Sequence, residues 1–340
     1  MAQKRGTARS CLAAVRAGRA GSDADRELAR KLDGTEILGR LQAADARLLG
    51  PNDEEYPGEV LELFDPPAGL FVRGRRLGTL EPRVAIVGAR NCSPAGREVA
   101  ELLGAALARV GGCVVSGGAR GIDAAAHRGA LQAEGNTVAV LGCGIDRAYP
   151  SENRRLLERI AANGALVSEY PPGVPALPFR FPARNRIIAA LSRAVVVVEG
   201  AIGSGSMITA DHALDIGREV LAVPGPVTGP LSAVPHSLIR DGATLIRGPD
   251  DLLADLGLSV ETTETKSSGA PSPAIALDGA EGKVWEALTV SSPPDRLASL
   301  TGLTLSEVIS ALVRLEVRSL VLSTGGRYER RLLRGEALDP

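Results

Sequence analysis

The run Cys113-Val114-Val115-Ser116-Gly117-Gly118-Ala119-Arg120-Gly121-Ile122-Asp123 decides the reading of this chain. An apolar strand candidate ends in small residues and one arginine, and a helical stretch follows. Glycines let backbone approach a ligand, the first N–H groups of a helix have no internal partner, and the helix dipole favours negative charge there. The junction therefore suits an anion, although taken alone it also reads as a tight strand–helix turn.

Outward from this run, apolar strand candidates recur at Val84–Val87, Cys113–Ser116, Thr137–Leu141, Ala165–Ser168, Ala194–Val198 and Glu219–Val223, with a possible last strand at Ala243–Ile246. Amphipathic stretches such as Ala95–Val110, Asn153–Ala162 and Ile208–Ile216 lie between them. Such alternation predicts an α/β fold with a mostly parallel sheet and helices on both faces. Ligands of such sheets sit outside the carboxyl ends of the strands. Those ends here read Gly88-Ala89-Arg90, Ser116 to Gly121, Gly142 to Arg147, Ser168-Glu169 and Glu199 to Ser206. Neither a dinucleotide fingerprint nor a Walker loop is spelled there. What remains is a row of arginines and backbone donors, suited to a phosphate-bearing ligand larger than one nucleotide. Phe179-Arg180-Phe181-Pro182-Ala183-Arg184-Asn185-Arg186 adds two of the chain's four phenylalanines among three arginines. That mixture fits bases stacked above a charged backbone, and equally a helix entry with core aromatics.

The 340 residues suggest a core domain with one or two small ones, and a net charge of −1 confines any polyanion site to a local patch. The longest apolar runs have strand length, and the start lacks the apolar region of a secretory signal, so a cytoplasmic protein away from membranes is expected. Cys11, Cys92, Cys113 and Cys143 have no metal-ligand spacing and read as buried reduced thiols, and no metal or cofactor is expected. Asp123 and His127, four apart, share a helix face that permits a carboxylate–imidazole hydrogen bond, with a role in pinning the loop. His236 reads as a loop residue.

Taken in order, Val84–Arg90, Ser116–Asp123 with His127, Gly142–Pro150, Ser168-Glu169, Phe181–Ile188, Glu199–Ser206 and Val223-Pro224-Gly225 resemble the DNA-processing protein A family, also called DprA or Smf. The likeness spans roughly Pro51 to Gly257. It implies an extended Rossmann-like fold that binds single-stranded DNA, forms a homodimer and loads the RecA recombinase during natural transformation, without catalytic activity. The resemblance places Arg90, Ser116, Gly117, Arg120, Gly144, Arg184, Asn185, Arg186 and Gly205 at the DNA, joined by Phe181 from the aromatic reading. Asp123, His127 and Glu199 are read as structural supports. Arg184 and Arg186 are two apart on a helix, so one is expected to face the cleft and the other to pair with an acid such as Glu169 or Glu199. Gly118 stands where relatives usually carry a larger apolar residue. The resemblance also suggests a dimer surface around Pro235-His236-Ser237-Leu238-Ile239. A competing reading, a phosphoribohydrolase-like enzyme acting on nucleotides, rests on Glu199 beside Gly203-Ser204-Gly205.

Four segments are expected: a short helical one over 1–50 with a single readable helix at Ala24 to Gln42, the core over 51–258, a polar flexible linker over 259–274, and a winged helix over 275–334. In the last, Gly282–Leu288, Pro294–Thr301 and Ser306–Leu315 read as helices, and Leu320–Ser323 with Arg327–Leu333 as a hairpin. Its basic and acidic residues nearly balance, so duplex binding would need Arg327, Arg330 and Arg331 to cluster, and a protein-docking role is equally compatible.

Overall fold

The computed structural model describes residues 8–31, 33–258, 277, 279–318, 320–324 and 326–330. They fall into two compact units, Met1–Glu261 and Thr262–Pro340.

The first unit is built on a nine-stranded sheet: β1 (Ala46–Leu49), β2 (Leu70–Gly74), β3 (Arg83–Val87), β4 (Cys113–Ser116), β5 (Asn136–Leu141), β6 (Ala165–Ser168), β7 (Ala194–Val197), β8 (Glu219–Ala222) and β9 (Thr244–Leu245). Their order is β1-β2-β6-β5-β4-β3-β7-β8-β9. The seven strands from β6 to β9 are parallel, while β2 runs antiparallel to β6 and β1 antiparallel to β2. The chain winds one way from β3 to β6 and then returns to place β7 on the other side of β3. This reversal is the switch point beside which ligands of open α/β sheets bind.

Both sheet faces are covered, which explains why the strands read as nearly continuous apolar runs. Along β3 the side chains alternate between two cores. Ala85 and Val87 join Ile187 and Ile188 of α7 (Arg180–Ala190) and Ala210 and Ala213 of α8 (Gly205–Asp215). Val84 and Ile86 join Leu103 and Leu107 of α4 (Pro94–Arg109) and Ile122 and Ala125 of α5 (Ile122–Gln132). A third cluster seats α6 (Arg154–Asn163) on Phe71, Leu141 and Leu166.

Three sequence expectations change. The amino-terminal segment holds three helices, α1 (Ala8–Arg16), α2 (Asp23–Lys31) and α3 (Gly34–Ala43), rather than one. The break before α3 is set by Asp33, whose carboxylate accepts from Thr35 N and caps it. Residues 46–49, assigned to that segment, pair into the sheet. Pro235 to Ile239 lie within a helix, α9 (Ala233–Arg240), with Leu238 only 3% exposed in the core and Ile239 packed against it. Leu238 is therefore a core residue, and His236 is helical, its Nε2 donating to Gly225 O at 3.0 Å.

The first unit ends with α10 (Pro249–Asp255). The second consists of α11 (Gly279–Ala287), α12 (Pro294–Thr301), α13 (Leu305–Val317) and an antiparallel hairpin, β10 (Val321–Thr324) with β11 (Arg327–Arg330). Val284, Leu297, Val308, Leu312 and Leu315 form its core. The expected linker over 259–274 and the hairpin beyond Arg330, Arg331 included, lie outside the described residues.

Helices α4 and α5 pack closely because two glycines face the opposing backbone. A Cβ at Gly104 would lie 2.3 Å from Ala126 O, and one at Gly129 would lie 2.1 Å from Glu101 O. Since α5 opens at the glycine-rich loop, this packing fixes the loop's height above the sheet. Gly129→Ala is expected to destabilise the protein by about 1–3 kcal/mol through overpacking. Gly39→Ala, on α3 with open space around it, should instead stabilise by about 0.5–1 kcal/mol. Urea denaturation midpoints of the two variants check the contrast.

Candidate nucleic-acid interface

The pocket at the carboxyl ends of β3, β4 and β5 is lined by Arg90, Gly117, Ala119, Arg120, Tyr149, Pro150, Phe181 and Arg184. Its volume is about 60 Å³, and it opens to solvent. Each wall has a local cause. The turn after β4 requires Gly118 and Gly121 at φ of +64° and +71°, a region that an L side chain enters only with strain. Gly117 is required for space, since a Cβ there would lie 2.4 Å from Arg184 Nη2 and 2.7 Å from Asp123 Oδ2.

Arg184 forms the floor. Its side chain arrives from α7 and is 4% exposed. Nη1 donates to Gly117 O at 2.8 Å and to Val140 O, joining the β4–α5 loop to β5. Burial lowers its guanidinium to about 10, with Asp123 pulling up and Arg90 pushing down, so the group stays charged at neutral pH. Asp123 holds the other side of the loop, accepting from Gly117 N at 3.1 Å and Ala119 N at 3.4 Å. Burial raises its pKa, against the opposing pull of Arg184 and these N–H groups.

The mouth is aromatic and cationic. The rings of Tyr149 and Phe181 sit 5.1 Å apart at 30°, and the Arg90 guanidinium lies 5.3 Å from the Phe181 centroid. Arg90 is exposed. Arg120 is exposed too and is bridged by Glu152 from the segment after β5, Nη2 to Oε2 at 2.9 Å. Cations beside aromatic faces can take a phosphate below and a stacked base above.

Of the residues singled out by sequence, the fold thus brings Arg90, Gly117, Arg120, Phe181 and Arg184 together. Five others do not line this pocket. Ser116 is fully buried and donates to Ile86 O at 2.7 Å. Gly144 N donates to Val174 O at 2.9 Å. Asn185 Nδ2 donates to Gly205 O at 3.0 Å, tying α7 to the start of α8. Arg186 makes a two-pronged ion pair with Glu169, at 3.0 and 2.7 Å, and also donates to Asp65 O. Tyr149 and Pro150 were not singled out individually. The signal available was Tyr149's rarity, one of four tyrosines, inside the Gly142–Pro150 motif.

The hydrogen bond allowed between Asp123 and His127 is not made. His127 is wholly buried and its Nδ1 lies 2.6 Å from Thr137 Oγ1. That hydroxyl donates its proton to Val114 O at 2.9 Å, so Nδ1 is the donor to Thr137, and Nε2 carries the lone pair in a buried place where it has no partner among the described residues. Burial, then the nearby Arg184 and Arg128, push its pKa down to about 3. Glu199 accepts from Ser93 N at 2.9 Å and Ser93 Oγ at 2.5 Å, fixing the residue that caps α4.

Among the described residues no group of three or more His, Cys, Asp or Glu side chains is placed to hold a metal ion, and no single helix is long and apolar enough to cross a membrane.

The sequence pattern of the DNA recombination-mediator protein A family matches residues 47–257. Over 347 aligned residues the chain is 41% identical to the putative DNA processing protein DprA of Mycobacterium tuberculosis, covering 95% of this chain and 87% of that protein. It is 38% identical over 297 residues to protein Smf of Escherichia coli, covering 85% and 79%. Among solved structures it is similar to DNA processing protein A of Streptococcus pneumoniae, with TM-score 0.65 and 38% identity over 72% of this chain and 86% of that one. It is also similar to DNA processing protein A of Helicobacter pylori, a structure that describes a single-stranded DNA binding mode, with TM-score 0.55 and 29% identity over 62% and 95%.

Removing the floor should cost fold as well as ligand. Arg184→Ala leaves Asp123 buried without its cation and is expected to destabilise by about 3 kcal/mol, whereas Arg90→Ala, at the exposed mouth, should leave the melting temperature near that of the parent. Thermal melts of both variants check this. His127 gives a pH signature. Its folded pKa near 3 lies below the unfolded value of about 6.5, so the unfolded chain binds the extra proton. Stability is complete above about pH 6.5 and is lost progressively as pH falls toward 3. His127→Asn should flatten that part of the melting-temperature profile. An unchanged slope would assign the acid sensitivity to other groups.

Proposed function

The chain belongs to the DNA recombination-mediator protein A family, and from that premise we propose that it binds single-stranded DNA and delivers it to recombination. The observation that carries this reading is the convergence of Arg90, Arg120 and Arg184 with the Phe181–Tyr149 pair at one pocket. The guanidiniums supply the phosphate term, and the rings supply stacking that any base can use. In this reading the pocket holds one phosphate, and the rest of the strand runs along the sheet edge.

The protein acts in this proposal by binding rather than by turnover. His127 is sealed under α5, Asp123 holds the loop, and the Glu199 carboxylate is engaged by Ser93. The phosphoribohydrolase reading needs Glu199 or a similar acid at a sugar, and no observation favours it. The biological extension is that the protein works as a homodimer, shields incoming strands and loads the RecA recombinase on them during natural transformation. The three-helix unit with its hairpin is read as a winged helix.

Filter binding or fluorescence anisotropy with a short oligonucleotide tests the core of this reading. If about four phosphates are neutralised, log affinity should fall with log salt at a slope near −3. Arg90→Ala should weaken binding by about 1–2 kcal/mol, the scale of one charge-assisted hydrogen bond. Glu152→Gln frees Arg120 and should tighten binding at low salt while steepening the slope by about 0.7. Salt-independent binding, or an Arg90 variant that binds like the parent, would move the site elsewhere.

A further inference from the structure

Phe179 caps the start of α7 and Phe181 lies in its first turn. Residues two apart at a helix start point about 200° away from each other, so the two rings diverge. Phe181 turns into the Arg90 pocket over the end of β5, where a Cβ at Gly142 would come within 2.8 Å of Phe181 Cδ1. Phe179 turns to solvent and is 67% exposed, forgoing the stabilisation that burial of a ring brings. Between the two, the Arg180 guanidinium lies 5.5 Å from the Phe179 centroid and 5.0 Å from that of Tyr170, two residues past the end of β6. Since β6 pairs with β5, this is a second cluster of cation and rings beside the one in the pocket.

A further cation joins it. Arg147, two residues before Tyr149 of the pocket mouth, is exposed, and its Nε donates to Gly173 O at 3.0 Å. Arg180 Nη1 donates to Pro175 O. Both guanidiniums are therefore held by one loop, residues 171–178, in which four prolines fix the backbone. Carbonyl partners position a guanidinium without cancelling its charge, unlike the carboxylates that hold Arg120 and Arg186. The nearby acids are engaged by other groups: Asp146 accepts from Gly173 N at 2.8 Å, and Glu169 pairs with Arg186.

The other side of the pocket differs. There the sheet continues from β3 to β7 and β8, and the segments after those strands, Glu199 to Ser204 and Val223 to Gly229, contain no arginine, lysine or aromatic residue. Their most exposed large side chains are aliphatic, Ile202 and Val227 at 90% each. A strand seated in the pocket has two ways along the edge, and the cations and rings lie on the β6 side. Resting on the single-strand reading, we propose that the DNA leaves the pocket in that direction: the base next to the one at Phe181 stacks on Phe179, and Arg180 and Arg147 hold the flanking phosphates. With its guanidiniums already fixed by carbonyls, this track is preformed, and a ring accepts any base.

The test uses the full chain and a fluorescent thymidine oligonucleotide of about ten residues. Phe179→Ala should weaken binding by about fivefold or more, the scale of one stacked base, with an unchanged melting temperature, and Phe179→Trp should restore it. Arg147→Gln should make the log–log salt slope shallower by about 0.7. A photoreactive benzophenone side chain in place of Phe179 should cross-link to the oligonucleotide, and the same probe in place of Ile202 should not. The path is overturned if Phe179→Ala binds like the parent, if Arg147→Gln leaves the slope unchanged, or if the probe at Ile202 cross-links as well as the one at Phe179. Failure of the underlying reading looks different, because Arg90→Ala would then bind like the parent. A weakened Arg90 variant beside an unaffected Phe179 variant discards the path alone.

Discussion

The buried guanidinium of Arg184 is the interaction on which the candidate site depends. It ties helix α7 to two carbonyl groups, one in the β4–α5 loop and one on β5, and lies beside Asp123, which grips the same loop from its backbone N–H groups. Desolvating such a group costs several kcal/mol unless its geometry is satisfied. Glycine at 117 is what lets it come so close. The floor of the pocket is consequently a structural device and a source of positive potential at once, and the two roles cannot be separated by removing the side chain.

Around that floor the cations are held at graded depths. Arg184 is fixed and buried, Arg90 lies over an aromatic face at the surface, and Arg120 is restrained by Glu152. In the proposed role, a phosphate arriving from solvent would meet one cation in place and two that can adjust. Their combined field acts on a low-dielectric wall, where it is stronger than it would be over open water. This local concentration is compatible with a net charge near zero for the whole chain.

The second unit follows a different logic. Arg314 and Arg318 are drawn onto Glu281, and Arg330 and Arg327 onto carbonyls of Trp285 and Ser291, leaving aliphatic side chains as the accessible face of α13.

The sheet, its parallel direction and its covered faces were legible in the sequence, because strands such as Cys113–Ser116 and Ala165–Ser168 are written as local apolar runs between helical periods. The position of the pocket was legible too, since glycines and arginines cluster where those runs end. The break between α2 and α3 and the burial of Leu238 were not, because a cap and a core contact depend on neighbours that a short window does not contain. The same holds for the arginines. Arg184 and Arg186 are two residues apart in identical chemistry, yet one meets carbonyls 67 and 44 residues away and the other a carboxylate 17 residues away. Sequence determined which side chains could carry charge at the edge. Only the tertiary structure decided which of them line the pocket, because that depends on what the fold places across from each one.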